Sequence, residues 1–335
     1  MPFVNDILRY DSLSIVGLEK NTGKTVCLNY ILRRLNNLHI SVGVTSIGVD
    51  GEQTDAVFAT AKPEVTLYEG SRFITSEQHY LRRQLVSIVE SVDSRRTALG
   101  PLVTARVLVR GKALLSGAAS TGVLRSQIAA LHNSGCRLAI VDGALSRISL
   151  ASPTVTDAMV LATGAAVSAN IKQIIARTRF YYDLIRLDET PAALAARLSP
   201  ITSGLWALGD DGTPVDLGIP SVFLIDRSME ERLHTASAVY AAGAASDRLL
   251  NILAASKEGC TLIVRDFTKL FISPEAFARF QRKGGSIRVL QRSKLVAITF
   301  NPTSPQGIVL DSEPSCRALS EALQIPVFDV MKIKT

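Results

Sequence analysis

Cysteine, histidine and tryptophan are scarce in this chain of 335 residues, which has four cysteines, four histidines and one tryptophan. Cys27, Cys136, Cys260 and Cys316 lie far apart, and none makes the close pair that a zinc site or a redox motif requires. The histidines show no ligand spacing with cysteines or carboxylates, which disfavours a metalloenzyme other than one that uses a Mg²⁺-bound nucleotide. We therefore expect buried thiols in a reducing compartment.

Export signals and long apolar runs are missing as well. The opening residues, Met1 to Tyr10, contain Asp6 and Arg9 and no apolar run, unlike a secretory signal. No stretch approaches the ~20 uninterrupted apolar residues of a membrane helix. No Gly-x-Ser-x-Gly elbow anchors serine hydrolase chemistry. The sequence predicts a cytoplasmic protein with no membrane partner.

The chain is basic, with a formal net charge of +7 and a pI near 9.3. Such a charge suits an anionic ligand or partner, nucleic acid included. The positive residues are scattered, however, and no basic run is interleaved with aromatics. A solvated surface with a few phosphate-binding residues explains the charge better, so we expect no nucleic-acid partner.

Apolar runs alternate with helical periodicity along the first half of the chain. A strand, a glycine-containing turn and a helix follow one another up to Leu35, and further strands and helices then alternate. Strands alternating with helices predict an α/β fold with a mostly parallel, doubly wound sheet. The strands are expected at Leu13–Val16, Ile40–Ile47, Leu102–Val109, Ala113–Leu115, Leu138–Val141 and Ala158–Ala162, with Gly111 separating the third from the fourth. Helices are expected at Val26–Leu35, Tyr80–Val89, Leu124–Leu131 and Ala166–Arg177.

A break rich in proline and glycine, Glu189 to Gly212, divides the chain into a predicted nucleotide-binding domain, 1–190, and a second α/β domain, 191–335. The second domain is the expected partner or dimer surface. Its strands are predicted at Ser221–Ile225, Thr261–Val264, Ser286–Leu290 and Leu295–Phe300, and its helices at Met229–Ala242 and Pro274–Arg282. The small residues of Ala236–Ala245 suit close helix packing in a homodimer and packing within one chain equally well.

The segment Gly17 to Thr25 ends in Gly-Lys-Thr, directly after a predicted strand and before a predicted helix. Gly23 lets the backbone approach phosphate oxygens, Lys24 reaches the β and γ phosphates, and the Thr25 hydroxyl ligates Mg²⁺. The pattern predicts a P-loop for a Mg²⁺-bound nucleoside triphosphate. ATP is the expected nucleotide, and GTP stays open because no Asn-Lys-x-Asp signature decides. The candidate binding residues are Gly17, Glu19, Lys20, Asn21, Thr22, Gly23, Lys24, Thr25 and Val26.

Three carboxylates are candidate partners of this loop. Asp142 ends an apolar strand, where a Walker B carboxylate holds Mg²⁺ directly or through water, although a plain turn has the same pattern. Asp50 and Glu52 follow the second strand, whose carboxyl end is expected beside the phosphates. They suit a Mg²⁺ ligand, a water-orienting group or a phosphate sensor, and a glycine-rich surface turn explains them equally well. Lys24, Asp142 and Asp50 are the predicted catalytic residues.

Three further segments each have a structural and a functional interpretation. Gly117 to Gly122 opens a helix and suits a capped helix start better than a second anion site. Asn301 to Pro305 suits a rigid turn better than a base-reading loop or partner surface. Arg265 and Asp266, directly after a strand, carry the same ambiguity.

Five residues separate Gly17 from Gly23, where the common Walker A pattern has four. This spacing resembles the loop of dethiobiotin synthetase and of cobyric-acid-synthase-like enzymes, and Glu19 stands where the MinD-like branch has its signature lysine. Together with Ser46–Glu52 and Ile298–Gly307, the loop resembles the P-loop subunit of the lysine 5,6-aminomutase reactivase family. The resemblance spans most of the chain, and its specific part is the loop.

The resemblance implies a chaperone-like ATPase that acts with a MutS-like ATPase subunit. Such a complex exchanges inactivated cobalamin on an adenosylcobalamin- and pyridoxal-phosphate-dependent aminomutase. The alternative is a small-molecule ligase or kinase like dethiobiotin synthetase, with Arg106, Arg110 and Lys112 as candidate cations for its substrate. A large second domain without recognisable catalytic residues favours the remodelling ATPase.

Overall fold

The computed structural model describes residues 2–47, 64–118, 120–144, 149, 151–256 and 259–333. The chain forms two compact units, one of Met1–Arg179 with Lys294–Thr335 and one of Phe180–Ser293. Each unit contains helices and a multi-stranded sheet, and the larger sheet is mostly parallel. The predicted α/β class is therefore confirmed.

Over the residues that the structure describes, the first unit combines ten strands with five short or medium helices and the start of a sixth. They are α1 Val4–Ile7, β1 Ser12–Gly17, α2 Lys24–Asn37, β2 Val42–Ser46, β3 Val65–Leu67, β4 Arg72–Ser76, α3 Glu77–Leu81, β5 Gln84–Thr97, β6 Gly100–Ala113, α4 Thr121–Asn133, β7 Leu138–Ala144, β8 Ala158–Gly164, the start of α5 Ile171–Ile185, β17 Lys294–Asn301, α10 Ser312–Leu323 and β18 Val327–Phe328.

The strand order of this sheet is β18-β17-β8-β1-β7-β2-β4-β6-β3, and β5 pairs with β6 outside this path. The seven strands from β18 to β4 pair in parallel. β6 runs antiparallel to β4, β3 and β5. Because β1 lies between β7 and β8, the carboxyl ends of these three strands meet at one edge of the sheet.

Alternation along β7 shows that both faces of the sheet are covered. Leu138 and Ile140 belong to the core cluster that contains the apolar face of α2. Ala139 and Val141 belong to a second cluster, which contains Leu124 of α4. A parallel strand with apolar residues on both faces is typical of a sheet with helices packed on each side.

The second unit has its own six-stranded sheet, in the order β11-β10-β12-β14-β16-β9. Strands β12, β14, β16 and β9 pair in parallel. Strand β10 pairs antiparallel with both of its neighbours, β11 and β12. The elements are β9 Asp188–Glu189, α6 Ala192–Leu198, β10 Leu205–Leu208, β11 Pro214–Ile219, α7 Arg227–His234, β12 Ala238–Ala241, β13 Ala245–Ser246, α8 Asp247–Leu253, β14 Thr261–Val264, β15 Leu270–Phe271, α9 Pro274–Arg282 and β16 Ser286–Val289.

The domain boundaries predicted at 190 and 191 differ from those of the structure. The first division falls inside α5, between Arg179 and Phe180. The chain also returns to the first unit at Lys294, because β17 pairs with β8 over seven register positions. Residues 294–335 therefore complete the first unit, and the second unit is an insertion.

The helix predicted at Tyr80–Val89 is wrong. α3 ends at Leu81, and β5 then runs from Gln84 to Thr97 along β6. Valine and isoleucine are enriched in this segment, and β-branched residues favour strands. β6 also continues through Gly111, where an added Cβ would lie 2.0 Å from the Gln84 carbonyl oxygen. Glycine there permits close strand contact and does not interrupt the strand.

Two elements of the second half also differ from their predictions. Ser221–Ile225 contains a 3-10 turn at Val222–Leu224, and the predicted strand is absent. The helix predicted at Met229–Ala242 ends at His234, and Ala238–Ala241 forms β12. β12 lies inside the sheet between β10 and β14. Of the two explanations left open for these small residues, packing within one chain fits the strand, and close packing of a helix does not.

Candidate functional site

The loop between β1 and α2 turns tightly at the carboxyl edge of the first sheet. It begins at Gly17, the last residue of β1, and reaches Lys24, the first residue of α2. Asn21 and Gly23 have left-handed backbone, with φ of 62° and 86°. Asparagine and glycine are the residues that adopt this conformation most readily. The sequence therefore encodes the turn that leads the strand into the helix.

Close packing inside the loop accounts for glycine at position 17. The Thr22 hydroxyl donates a 2.9 Å hydrogen bond to the Glu19 carbonyl oxygen. A Cβ atom added at Gly17 would lie 2.3 Å from Thr22 Oγ1, which is closer than real atoms approach. The Leu18 amide donates a 2.9 Å bond to the Ala162 carbonyl of β8. The loop is thus fixed by its own turn and by a neighbouring strand.

Asn301, the last residue of β17, supports the far side of the loop. Its Nδ2 donates hydrogen bonds of 3.0 Å to the carbonyl oxygens of Asn21 and Thr303. Its Oδ1 accepts a 3.3 Å bond from the Thr303 amide, which makes the rigid turn predicted from the sequence. A Cβ added at Gly23 would lie 2.8 Å from Asn301 Cβ. Sequence reasoning missed this contact because 280 residues separate Asn21 from Asn301.

The first turn of α2 presents its backbone amides toward the loop. The Cys27 amide donates the first intrahelical bond, 2.9 Å long, to the Gly23 carbonyl. The preceding amides, those of Lys24, Thr25 and Val26, have no intrahelical acceptor. They carry the positive end of the helix dipole, which favours anions. The Thr25 side chain is partly exposed and so reachable from solvent.

Lys24 and Asp142 both lie at this edge of the sheet. β7 pairs directly with β1, placing Asp142 opposite Ile15, and with β2, placing it opposite Ser46. The Ser46 hydroxyl donates a 3.2 Å bond to the Asp142 carbonyl. Burial lowers the pKa of the Lys24 ammonium, while the negative charges of Asp142 and Glu19 act in the opposite direction. The cation therefore lies within electrostatic reach of both carboxylates.

Glu19 and Lys20 occupy the outer side of the loop. The Glu19 carboxylate forms an ion pair with the Arg177 guanidinium of α5. Lys20 is exposed, and its positive charge contributes to lowering the pKa of Lys24. These two side chains thus set the charge around the loop.

The thiol of Cys27, in the first turn of α2, is fully buried. Burial raises its pKa to about 12, although a hydrogen bond with the Thr299 side chain acts in the opposite direction. A thiol with this pKa stays protonated and unreactive at neutral pH. Cys27 is therefore a packing residue under the first turn of α2. Among the described residues all four cysteines are free.

Other predicted residues have structural roles or lie outside the described residues. Asp50 and Glu52 fall within positions 48–63, which the structure does not describe. Ser120 caps α4 by accepting a 3.4 Å bond from the Val123 amide, as expected of a capped helix start. Asp266 caps the 3-10 turn that follows β14. Arg265 donates to backbone carbonyl oxygens of the second unit.

The three cations considered for a substrate site have partners on the β6 side of the sheet. Arg106 pairs with Glu90 at 3.1 Å, and Lys112 pairs with Glu64 at 3.7 Å. The Arg110 guanidinium lies 5.1 Å from the centre of the Tyr68 ring. These contacts keep the three cations beside strand β6.

Within the described ranges, no group of three or more histidine, cysteine or acidic residues is arranged to hold a metal ion. In the same ranges, no helix is both long and apolar enough to cross a membrane. Comparison with known protein families, with curated protein sequences and with solved structures finds no match to this chain.

Proposed function

We propose that the chain binds a Mg²⁺-bound nucleoside triphosphate, ATP in preference to GTP, at the Gly17–Thr25 loop and hydrolyses it. The observation that carries this proposal is the convergence of three features at one sheet edge: the tight loop, the Lys24 ammonium and the Asp142 carboxylate. Helix amides and a lysine provide the donors that phosphate oxygens need. A strand-borne aspartate beside them provides a carboxylate for Mg²⁺.

The residues present fit such a ligand. The Thr25 hydroxyl and the Asp142 carboxylate are the groups that would hold Mg²⁺, whose charge neutralises the β and γ phosphates. Lys24 would bind the same phosphates, and the amides at the start of α2 would complete the cradle. Asn21 Nδ2 is buried and has no hydrogen-bond partner among the described residues. Because an unpaired buried donor costs free energy, an incoming acceptor such as a phosphate oxygen is favoured.

We further propose that hydrolysis reactivates or remodels a partner enzyme, an adenosylcobalamin-dependent lysine 5,6-aminomutase, together with a MutS-like ATPase subunit. This part of the proposal rests on the resemblance of the loop, Ser46–Glu52 and Ile298–Gly307. It is compatible with a second unit, Phe180–Ser293, that provides a large additional surface. The proposal places the protein in the cytoplasm with its client.

Nucleotide turnover by the purified chain tests the proposal. ATP and GTP are supplied separately with Mg²⁺, first to the chain alone and then with the aminomutase and the MutS-like subunit. We expect ATP turnover that rises when the partners are added, and loss of that turnover in a Lys24→Ala variant.

If the chain is instead a small-molecule ligase or kinase, the same experiment should give the opposite result. That function requires turnover that depends on a small carboxylate or amine and is indifferent to the protein partners. Among the described contacts, Arg106 and Lys112 pair with carboxylates and Arg110 lies over the Tyr68 ring, so these cations do not themselves carry the ligase proposal. Turnover that responds only to a small carboxylate would overturn the remodelling proposal.

A further inference from the structure

An acidic side chain is unfavourable in a loop that binds a polyanion. Glu19 lies between Gly17 and Gly23, within the loop itself, and its negative charge reaches the Lys24 ammonium. A triphosphate held by Lys24 would therefore experience repulsion from Glu19. At separations below the Debye length, about 10 Å at 0.1 M salt, such repulsion is only partly screened.

The structure supplies a counter-charge at this position. The Arg177 guanidinium of α5 pairs with the Glu19 carboxylate, although 158 positions separate the two residues. The pair is half-exposed, with side-chain exposures of 44% for Arg177 and 40% for Glu19. A pair this exposed contributes little to folding stability. Its main effect is therefore on the charge of the loop.

We propose that Arg177 is a positioning residue for nucleotide binding, which holds Glu19 toward α5 and neutralises it beside the phosphate site. This inference rests on the proposed function of the loop. Arg177 acts through Glu19 and does not contact the phosphates. The loop thereby keeps the net positive character that Lys24 and the α2 amides provide.

Charge removal in a double-variant cycle tests the inference. Arg177→Ala exposes the Glu19 charge, and we expect the dissociation constant for Mg-ATP to rise about fivefold to twentyfold. Glu19→Gln should bind Mg-ATP more tightly than the wild type, because the positive charge of Arg177 is then unbalanced. The combined Glu19→Gln and Arg177→Ala variant should return to about the wild-type affinity, because the net charge at this position is again zero.

Controls separate charge from structure. Arg179→Ala removes an exposed arginine two residues further along α5 and should leave the affinity unchanged. Arg177→Lys keeps the positive charge and should retain most of the affinity. The deficit of Arg177→Ala should shrink between 0.05 and 0.5 M salt relative to the salt response of the wild type, since Glu19 repulsion is then screened. Unfolding temperatures without nucleotide should agree among these variants.

Two results would overturn the inference. In one, Arg177→Ala binds Mg-ATP as the wild type does. In the other, the double variant stays as weak as Arg177→Ala, which makes Arg177 a direct ligand or a structural support. Failure of the proposed function gives a different result. In that case the wild type would not bind Mg-ATP, or would bind it equally well with and without Lys24.

Discussion

Replacing Gly23 by alanine perturbs the loop in a way that the structure makes quantitative. The backbone there has φ of 86°, and a left-handed conformation costs an L-residue about 1–2 kcal/mol. The new Cβ would lie 2.8 Å from Asn301 Cβ, well inside ordinary van der Waals contact. Overpacking of this kind costs about 1–3 kcal/mol. Gly23→Ala should therefore lower the free energy of unfolding by about 2–5 kcal/mol.

A second glycine-to-alanine change provides the matched control. Gly122 lies in the first turn of α4, where an added Cβ has no neighbour within 4 Å. Alanine is the better helix former by about 1 kcal/mol, so Gly122→Ala should be neutral or stabilising. Urea unfolding followed by far-UV circular dichroism measures both variants.

Nucleotide binding gives the second readout for this pair. Gly23→Ala should also lose Mg-ATP affinity, because the loop must move to accommodate the methyl group, whereas Gly122→Ala should bind as the wild type does. Equal stability and equal affinity of the two variants would refute the loop geometry described above.

Three further predictions concern the surroundings of the loop. Asn301→Ala removes two donated bonds and one accepted bond, and should lower the free energy of unfolding by about 1–3 kcal/mol and weaken Mg-ATP binding, as urea unfolding and calorimetry measure. Asp142→Asn should leave the fold intact and raise the Mg²⁺ concentration needed for half-maximal nucleotide binding, and an unchanged Mg²⁺ requirement would contradict the assigned role. Burial raises the pKa of Cys27 to about 12 in the folded state, so the stability that this neutral thiol contributes is complete below pH 9 and is lost as the pH rises toward 12. Alkylation of the folded protein at pH 8 should therefore spare Cys27, and rapid labelling of this thiol would disprove its burial.

The loop and its strand and helix were predictable because their signals are local. Gly-Lys-Thr stands between a β-branched run and a helical pattern, and the turn needs only Asn21 and Gly23 in left-handed backbone. Asp142 was predictable as the carboxylate that follows the apolar run Leu138–Val141, although β7 continues past it to Ala144 and does not end there. The convergence of these residues at one edge follows from the parallel order of β1 and β7.

The supports of the loop were not predictable from local pattern. Asn301 and Arg177 reach the loop from positions 280 and 158 residues away, and no local pattern indicates either contact, although Asn301 begins a segment that suits a rigid turn. The return of the chain to the first unit at Lys294 was unpredictable for the same reason. It depends on the pairing of β17 with β8, two strands that are far apart in sequence. The β5 strand was mistaken for a helix because its apolar spacing fits a helical period until pairing with β6 is considered.

The most direct test of the central claim is calorimetric titration of Mg-ATP and Mg-GTP into the wild type and Lys24→Ala. We expect saturable binding to the wild type, tighter for ATP, and no measurable binding to the variant, whose unfolding temperature should be unchanged. The helix start survives the substitution while the phosphates lose their cation. Equal affinity of the two proteins for both nucleotides would contradict the assignment of Gly17–Thr25 as a phosphate-binding loop.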